Sequence, residues 1–460
     1  MRYSPELAAI RFGCGLSPAL PPPRSVSDLL DGLIGPDEMA RTYPIELFDR
    51  YQNRLIDLTA LWKAHRKAKE REAKGQLRDQ IDAVRDQARR DASIWFAHTL
   101  MRWIDTQSGL RERLAFFWAD HFTALGKSGA IRYSGLPYVE QAIRPNMTGY
   151  FSDLLISVTT HPLMLQYLDQ AYSIGPGSPI ARKKPGRGLN ENLAREVLEL
   201  HTMGVDGAYT QSDIRALAEL FAGLSYDWAG GFRYRADFAQ PGGETVLGQS
   251  YGGKKASLSP VLEFLRDLSV HPDTARHIAR KLVVHFVSDT PDPDLVAHVA
   301  RRYRESNGHL LTVYGALLEH PGAWQSELMN VKPPADFVAS ACRALNVRPD
   351  RLDLDRPGRL RRRLVHPMAG MGQRWMAPEG PDGWPEEDAA WITPQGLASR
   401  ISWAMTRPRQ LVGDLPDPRR FQWDALGSYA PASVQFAAQA AETRAEGIGL
   451  VLASPTFQRR

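Results

Sequence analysis

The residues richest in chemistry in this chain of 460 residues sit on two short segments, LRERLAFFWADHF (110–122) and NENLAREVLELHTMG (190–204). Helical periodicity puts Leu110, Leu114, Phe117 and His121 on one stripe of the first. It puts Asn190, Ala194, Val197, Leu198 and His201 on the apolar side of the second. Read as α-helices, both deliver an imidazole to a core-facing stripe at the C-terminal end, and Gly204 closes the second. A helix C-terminus favours the imidazolium and burial favours the neutral ring. Held in balance, those effects suit acid–base work or metal ligation by His121 and His201. The plainer reading is two core histidines satisfied by backbone carbonyls.

The opposite side of the second segment carries Asn192, Arg195, Glu196 and Glu199. Paired carboxylates split their pKa values and supply an acid and a base, as in glycoside hydrolysis, although two glutamates on one helix also serve as solvated charges or salt-bridge partners. At about 100° per residue, His201 lies roughly 160° from Glu199 and roughly 140° from Glu196. An unbroken α-helix over 190–203 therefore cannot aim all three at one ion, and no metal ligands are assigned here. The run Asn190-Glu191-Asn192, after a glycine-bearing loop, suits helix capping or the ordering of a polar ligand.

These segments need a scaffold, and the rest of the sequence reads as a mainly α, multi-helix globular bundle. Helical patterning runs from Pro5 to Phe12, from Ile45 to Asp105 with a break near Gly75, through Leu136–Asn146, and through Gly149–Leu168 across His161-Pro162. Thr210 and Asp213 have capping-box spacing ahead of a helix over Gln211–Gly223. Texture changes over 226–253, where glycines and aromatics predict a small hairpin or loop insertion. Helices resume near Ser259, then at Arg276–Val287, Pro293–Ser306, Leu310–Glu319, Ala335–Leu345, Thr393–Met405 and Ser433–Ala453. Ser173–Gly188 is a Gly/Pro-rich loop bearing Arg182, Lys183, Lys184 and Arg187. Residues 349–394 form a Pro/Trp-rich loop whose Trp375, Trp384 and Trp391 either stack on sugar rings or pin the loop to the body. The expected organisation is one domain over 1–460, with sub-lobes at 1–108, 109–225, 226–253 and 254–460.

Bulk properties narrow the function classes. Hydrophobic residues make up 43% and charged residues 24%, which is ordinary globular composition and argues against disorder. A formal charge of +5 over this length does not predict nucleic-acid binding. Cys14 and Cys342 have no metal spacing and expect to be buried thiols. No stretch approaches the ~20 apolar residues of a membrane helix, and the first residues lack a secretory pattern. A cytoplasmic location without a membrane partner is the expectation.

The same residues carry a family resemblance. LRERLAFFWADHF, Lys127, AIRPNMTGYFSDLLISVTTHPLMLQYLD and GLNENLAREVLELHTMGVDGAYTQSD resemble the signature of the domain-of-unknown-function 1800 family. PGGETVLGQSYGG, ARKLVVHFV, WITPQGL, the RFGCG near the start and the closing ASPTFQRR extend it over nearly the whole chain. The resemblance implies a widespread bacterial family, many of whose members carry export signals, with no reaction to transfer. It marks His121, Arg144, Asp169, Asn190, Glu191, Asn192, Arg195, Glu196, Glu199, His201, Tyr209 and Asp213 as recurrent polar positions. It also exposes departures. Ala239-Gln240-Pro241-Gly242 stands where members often read His-Glu-Pro-Gly or His-Asp-Pro-Gly, and Arg280-Lys281 where many read His-Lys.

The residues favour a non-catalytic assembly or scaffold protein, in which Arg195, Glu196 and Glu199 join Arg111, Arg113 or Arg144 in an internal polar network. The alternative is a hydrolase or lyase on a glycan-like or anionic ligand. There Glu196 or Glu199 is acid or base, His201 and His121 assist, and Arg144, Arg195, Lys127, Asn190, Glu191 and Asn192 bind the ligand. A metal or cofactor protein with His121 and His201 as ligands is the third reading. No cofactor is assigned. A solvent-connected cleft at Glu196 and Glu199 separates the second reading from the first.

Overall fold

Two long antiparallel helices, Phe48–Lys67 and Arg71–Asp105, set the frame of the structure, a computed structural model that describes residues 3–183 and 188–460. They pack through Tyr51, Leu55 and Leu58 of the first and Ile81, Ala88 and Trp95 of the second. The chain reverses at Ala68–Glu70, where Ala68 and Glu70 are extended, and not at Gly75. Gly75 faces open space inside the second helix. One exposed glycine costs a helix about 1 kcal/mol, which a 35-residue helix absorbs.

The second long helix is shared between two hydrophobic clusters. Its Ile81, Ala88 and Trp95 belong to one, which also holds Leu114, Phe117 and Trp118 of the Gly109–His121 helix. Its end, through Phe96, Leu100 and Trp103, packs with Phe337, Val338 and Cys342 of the Pro334–Ala344 helix and with Trp403. Arg113 and Arg460 both pair with the buried Asp336, at 2.5 and 2.9 Å, so charge joins the clusters where apolar contact alone does not. Arg343 donates to the carbonyls of Gly15, Trp103, Ile104 and Thr106, tying the chain start to the same region.

The fold is mainly α. Among the described residues, strand is confined to two antiparallel hairpins, Leu224–Asp227 with Gly231–Tyr234 and Gly242–Val246 with Gln249–Gly253. They fill the region expected to hold one hairpin or loop. Thr210 and Asp213 form a complete capping box ahead of Gln211–Phe221. Residues expected as one helix over Ser433–Ala453 form two, Ala432–Ala440 and Arg444–Ala453, because Thr443 caps the second. The Ser173–Gly188 loop contains a short helix, Pro179–Lys183, while Lys184 and Arg187 lie outside the described residues. The region 349–394, expected as a loop, holds short helical turns at Pro357–Leu360, Arg361–Val365, His366–Gly370 and Asp388–Trp391. Within it Trp375 packs on Phe96 and Phe116 and Trp391 is buried, so these indoles pin the Pro/Trp-rich segment to the body. Both cysteines are buried and free. No helix among the described residues is long and apolar enough to cross a membrane.

Candidate functional site

The expected unbroken α-helix over 190–203 is replaced by an α-helix at Asn192–Glu196 that continues as a π-helix at Val197–Thr202. The Thr202 hydroxyl donates to the Val197 carbonyl five residues back at 2.6 Å, and the Met203 amide donates to Leu198 at 2.9 Å. Both bonds favour the wider turn. Gly204, at φ +82°, then ends the helix in a conformation that side chains resist. A helix end leaves carbonyls without intrahelical partners, and here two imidazoles take them. His277 Nε2 lies 3.2 Å from the Leu200 carbonyl and His121 Nε2 lies 3.2 Å from the His201 carbonyl. Since a carbonyl only accepts, these contacts place the proton of each neutral ring on Nε2 and leave Nδ1 as an acceptor. His121 Nδ1 and both nitrogens of His201 are buried with no hydrogen-bond partner among the described residues. Buried polar atoms are rarely left so, and such cases mark sites of function or of bound solvent.

This floor opens into a cleft of about 600 Å³. One wall is the end of the π-helix and its following turn, with Glu199, Met203, Gly204 and Asp206. The facing wall is the Pro272–Phe286 helix, through Arg276, His277, Arg280 and Lys281. Asp382, Glu386 and Glu387 of the Pro/Trp-rich loop close the third side, and His121 reaches the interior. Lys281 is partly buried and forms no ion pair within the described residues.

Burial, then the neighbouring Lys281, keeps the histidines neutral. It drives His121 well down, His201 to about 3 and His277 to about 4. At neutral pH they are acceptors, not general bases. The carboxyls diverge. Burial, with Glu386 and Asp382 nearby, pushes Asp120 up to about 8, despite Lys281 and the Trp384 amide, which donates to both carboxyl oxygens at 3.1 and 3.2 Å. Gly383 sits at φ +79°, and a Cβ there would meet Asp120 Oδ2 at 2.7 Å, so the close approach requires glycine. Burial also opposes ionisation of Glu386. His285 at 3.1 Å, Lys281 and Arg113 outweigh it and hold that carboxyl below its ordinary range. Partial burial and the charge of Glu199 raise Glu196 to about 7.

The anticipated site residues divide into two groups. Glu199 and His121 line the cleft, with Glu196 close enough to Glu199 and Asp382 to feel both. His201 is buried behind the wall, 1% exposed, and its ring centre lies 6.2 Å from that of His121. Despite the π-turn, the acidic residues and this imidazole stay apart, and no group of three or more His, Cys, Asp or Glu among the described residues is arranged to hold a metal. The others do structural work. Arg144 grips Glu112 at 2.5 Å and Asp37 at 2.5 Å, and Lys127 pairs with Asp169. Asn190 donates to the Leu168 carbonyl and its amide reaches Ser173, Asn192 is exposed, and Glu191 contacts Arg195 and Gln211. Arg195 bonds Glu191 and Glu199 along its own helix, each such exposed pair being worth about 0.3–0.5 kcal/mol. The polar network expected to join Glu196 and Glu199 to Arg111, Arg113 or Arg144 does not form. Arg111 takes the carbonyls of Gly32, Leu33 and Gly35, Arg113 takes Asp336, and Arg144, at the end of the Val139–Ile143 turn, takes Asp37 and Glu112, so each is already engaged by nearer acceptors.

Sequence reading did not select His277, Arg280, Lys281, Asp382, Glu386 or Asp120 for the site. The i, i+4 spacing of His277 and Lys281 was a usable signal, as was the adjacency of Asp120 to His121. Nothing local distinguishes Glu386 from its acidic neighbours.

A helical protein with a charged cleft floored by neutral imidazoles is the class that fold and site define. The chain belongs to the family described as protein of unknown function (DUF1800), whose model matches residues 11–459. No curated protein and no solved structure matches it.

Proposed function

We propose that the cleft binds a small polar ligand and transforms it by acid–base chemistry, in the manner of a hydrolase or lyase. The observation that carries this reading is an open cleft of about 600 Å³ lined by Glu199, Asp382 and Glu386, with Glu196 behind Glu199 and the carboxyls of Glu386 and Glu196 driven to opposite protonation preferences. Glu386 is held ionised, and Glu196 is raised to about 7. Carboxyls separated in this way supply an acid and a base near neutral pH. Lys281, with Arg280 beside it, holds an anionic group of the ligand or the charge that develops on it. The Nδ1 acceptor of His121 orients a donor at the floor. Arg144 and Lys127 have no part in this, since both are committed elsewhere. The scaffold reading loses ground because the buried ion pairs are separate from Glu196 and Glu199, and Glu199 lines a cleft large enough for a small ligand.

A thermal-shift screen against sugars, phosphorylated metabolites and amino acids tests it. A ligand at a hundredfold its Kd stabilises the fold by about 2.7 kcal/mol. The expected hit is lost in Glu199→Gln and Lys281→Met, and its turnover falls about 10²–10⁴-fold in Glu196→Gln with KM little changed. Hits indifferent to all three substitutions would place the ligand elsewhere.

A further inference from the structure

Away from the cleft, and sharing no residue with it, a groove of about 730 Å³ runs between the Phe48–Lys67 helix and the first hairpin. Its helix side presents Thr59 and Lys63, one turn apart. Its other side is lined by the rings of Tyr172, Tyr226, Trp228 and Phe238. Tyr226 and Trp228 lie with ring centres 4.5 Å apart at an interplanar angle of 46°, and Phe48 backs Trp228 at 6.5 Å. The hairpin register, which opposes Tyr226 to Phe232, fixes the platform. Tyr172, 70% exposed, stands at the rim. A single exposed aromatic needs no explanation. Three that are at least partly exposed around one cavity, Tyr172, Tyr226 and Trp228, do. Among the described residues the hydroxyls of Tyr172 and Tyr226 and the indole nitrogen of Trp228 make no hydrogen bond, so each ring offers an apolar face and a free polar edge.

The charges of the groove narrow the ligand. Asp227 is taken by Arg233 and by the Gly230 amide. Arg235 is taken by Asp237 at 2.7 Å and lies over the Phe238 ring at 3.5 Å. Only Lys63 remains, exposed at the edge. A groove whose one free charge stands exposed at its edge, with the others paired internally, is not built to select an ion. Its aromatic faces and unused donors match a molecule with flat C–H surfaces and outward hydroxyls.

We propose that this groove is a binding site for a neutral oligosaccharide, its sugar rings stacked on Tyr172, Tyr226 and Trp228 and its hydroxyls bonded to their polar edges. The site is independent of the acid–base cleft. It holds a glycan chain by its uncharged face and stands whether or not the cleft is catalytic.

Isothermal titration of the full chain with neutral hexaoses tests it: β-1,4-linked glucose, α-1,4-linked glucose and β-1,4-linked N-acetylglucosamine. AMP serves as a stacking anion and oligogalacturonate as a charged glycan. At least one neutral hexaose should bind saturably at millimolar concentration or below, and better than either anion. Tyr172→Ala, at an exposed position that leaves the fold intact, should weaken it about tenfold, and Trp228→Ala at least as much. Lys281→Met should leave it unchanged. The proposal is overturned if no neutral hexaose binds, if AMP or oligogalacturonate binds better, if binding survives Tyr172→Ala and Trp228→Ala, or if it is lost in Lys281→Met.

Discussion

At the scale of the residue, Asp120 and its neighbour His121 carry abnormal charge states chiefly through removal from water, and in opposite chemical senses. Burial favours whichever form is neutral, so the acid keeps its proton and the base sheds it. For Asp120 the consequence reaches stability. Its carboxyl rises from an ordinary 3.8 to about 8 on folding. Between those values the folded chain holds a proton that the unfolded chain has released, so the stability this group contributes is complete below about 4 and is lost as pH rises through 8. Asp120→Asn cannot ionise. Its melting temperature should exceed that of the parent at pH 9, and the difference should shrink to nothing near pH 4; a gap independent of pH would refute the assignment. The stripe positions of His121 and His201 were legible from helical spacing, since burial follows that period. The partners of Asp120 were not. Glu386 lies far along the chain, and only the folded loop brings its charge near.

At the scale of the element, existence was easier to read than winding. Leu310–Glu319 and the capped helix after Thr210 stand where the pattern put them. Removing the cap oxygen in Thr210→Ala should lower stability by about 1 kcal/mol, read as a lower denaturant midpoint at constant slope; an unchanged midpoint would show that the cap contributes nothing. The π-turns were not legible. Ala8–Phe12, Val139–Ile143, Val197–Thr202 and Arg361–Val365 all extend or follow short α-helical turns. A π-turn preserves the apolar face closely enough that a short hydrophobic pattern cannot tell it from α. At Val197–Thr202 it matters, because the helix end it produces gives its carbonyls to two histidines. π-bulges often fall at functional sites, and this one borders the cleft.

At the scale of the whole molecule, four segments far apart in sequence build the cleft: the end of the helix at His121, the turn at 199–207, one face of Pro272–Phe286 and the loop at 382–387. Fold class and most helices follow from local pattern, but a cavity depends on which faces dock, and one sequence does not specify that. The Arg113–Asp336–Arg460 cluster joins the two cores near this assembly. Asp336→Ala would leave two buried guanidinium groups without their carboxylate and should cost about 3–5 kcal/mol. Equilibrium denaturation measures this, and a loss below 1 kcal/mol would mean the cores do not depend on that joint. The central claim is that docking these segments seals a floor of neutral, carbonyl-locked imidazoles beneath a polar cleft. Long-range ¹H–¹⁵N spectra of histidine-labelled protein, recorded from pH 8 to pH 5, test it directly. The account predicts that His121 and His277 stay in the Nε2–H neutral form across that range, with His277 beginning to titrate only toward pH 4. Titration of either ring near pH 6.5, or a proton on Nδ1, would contradict it.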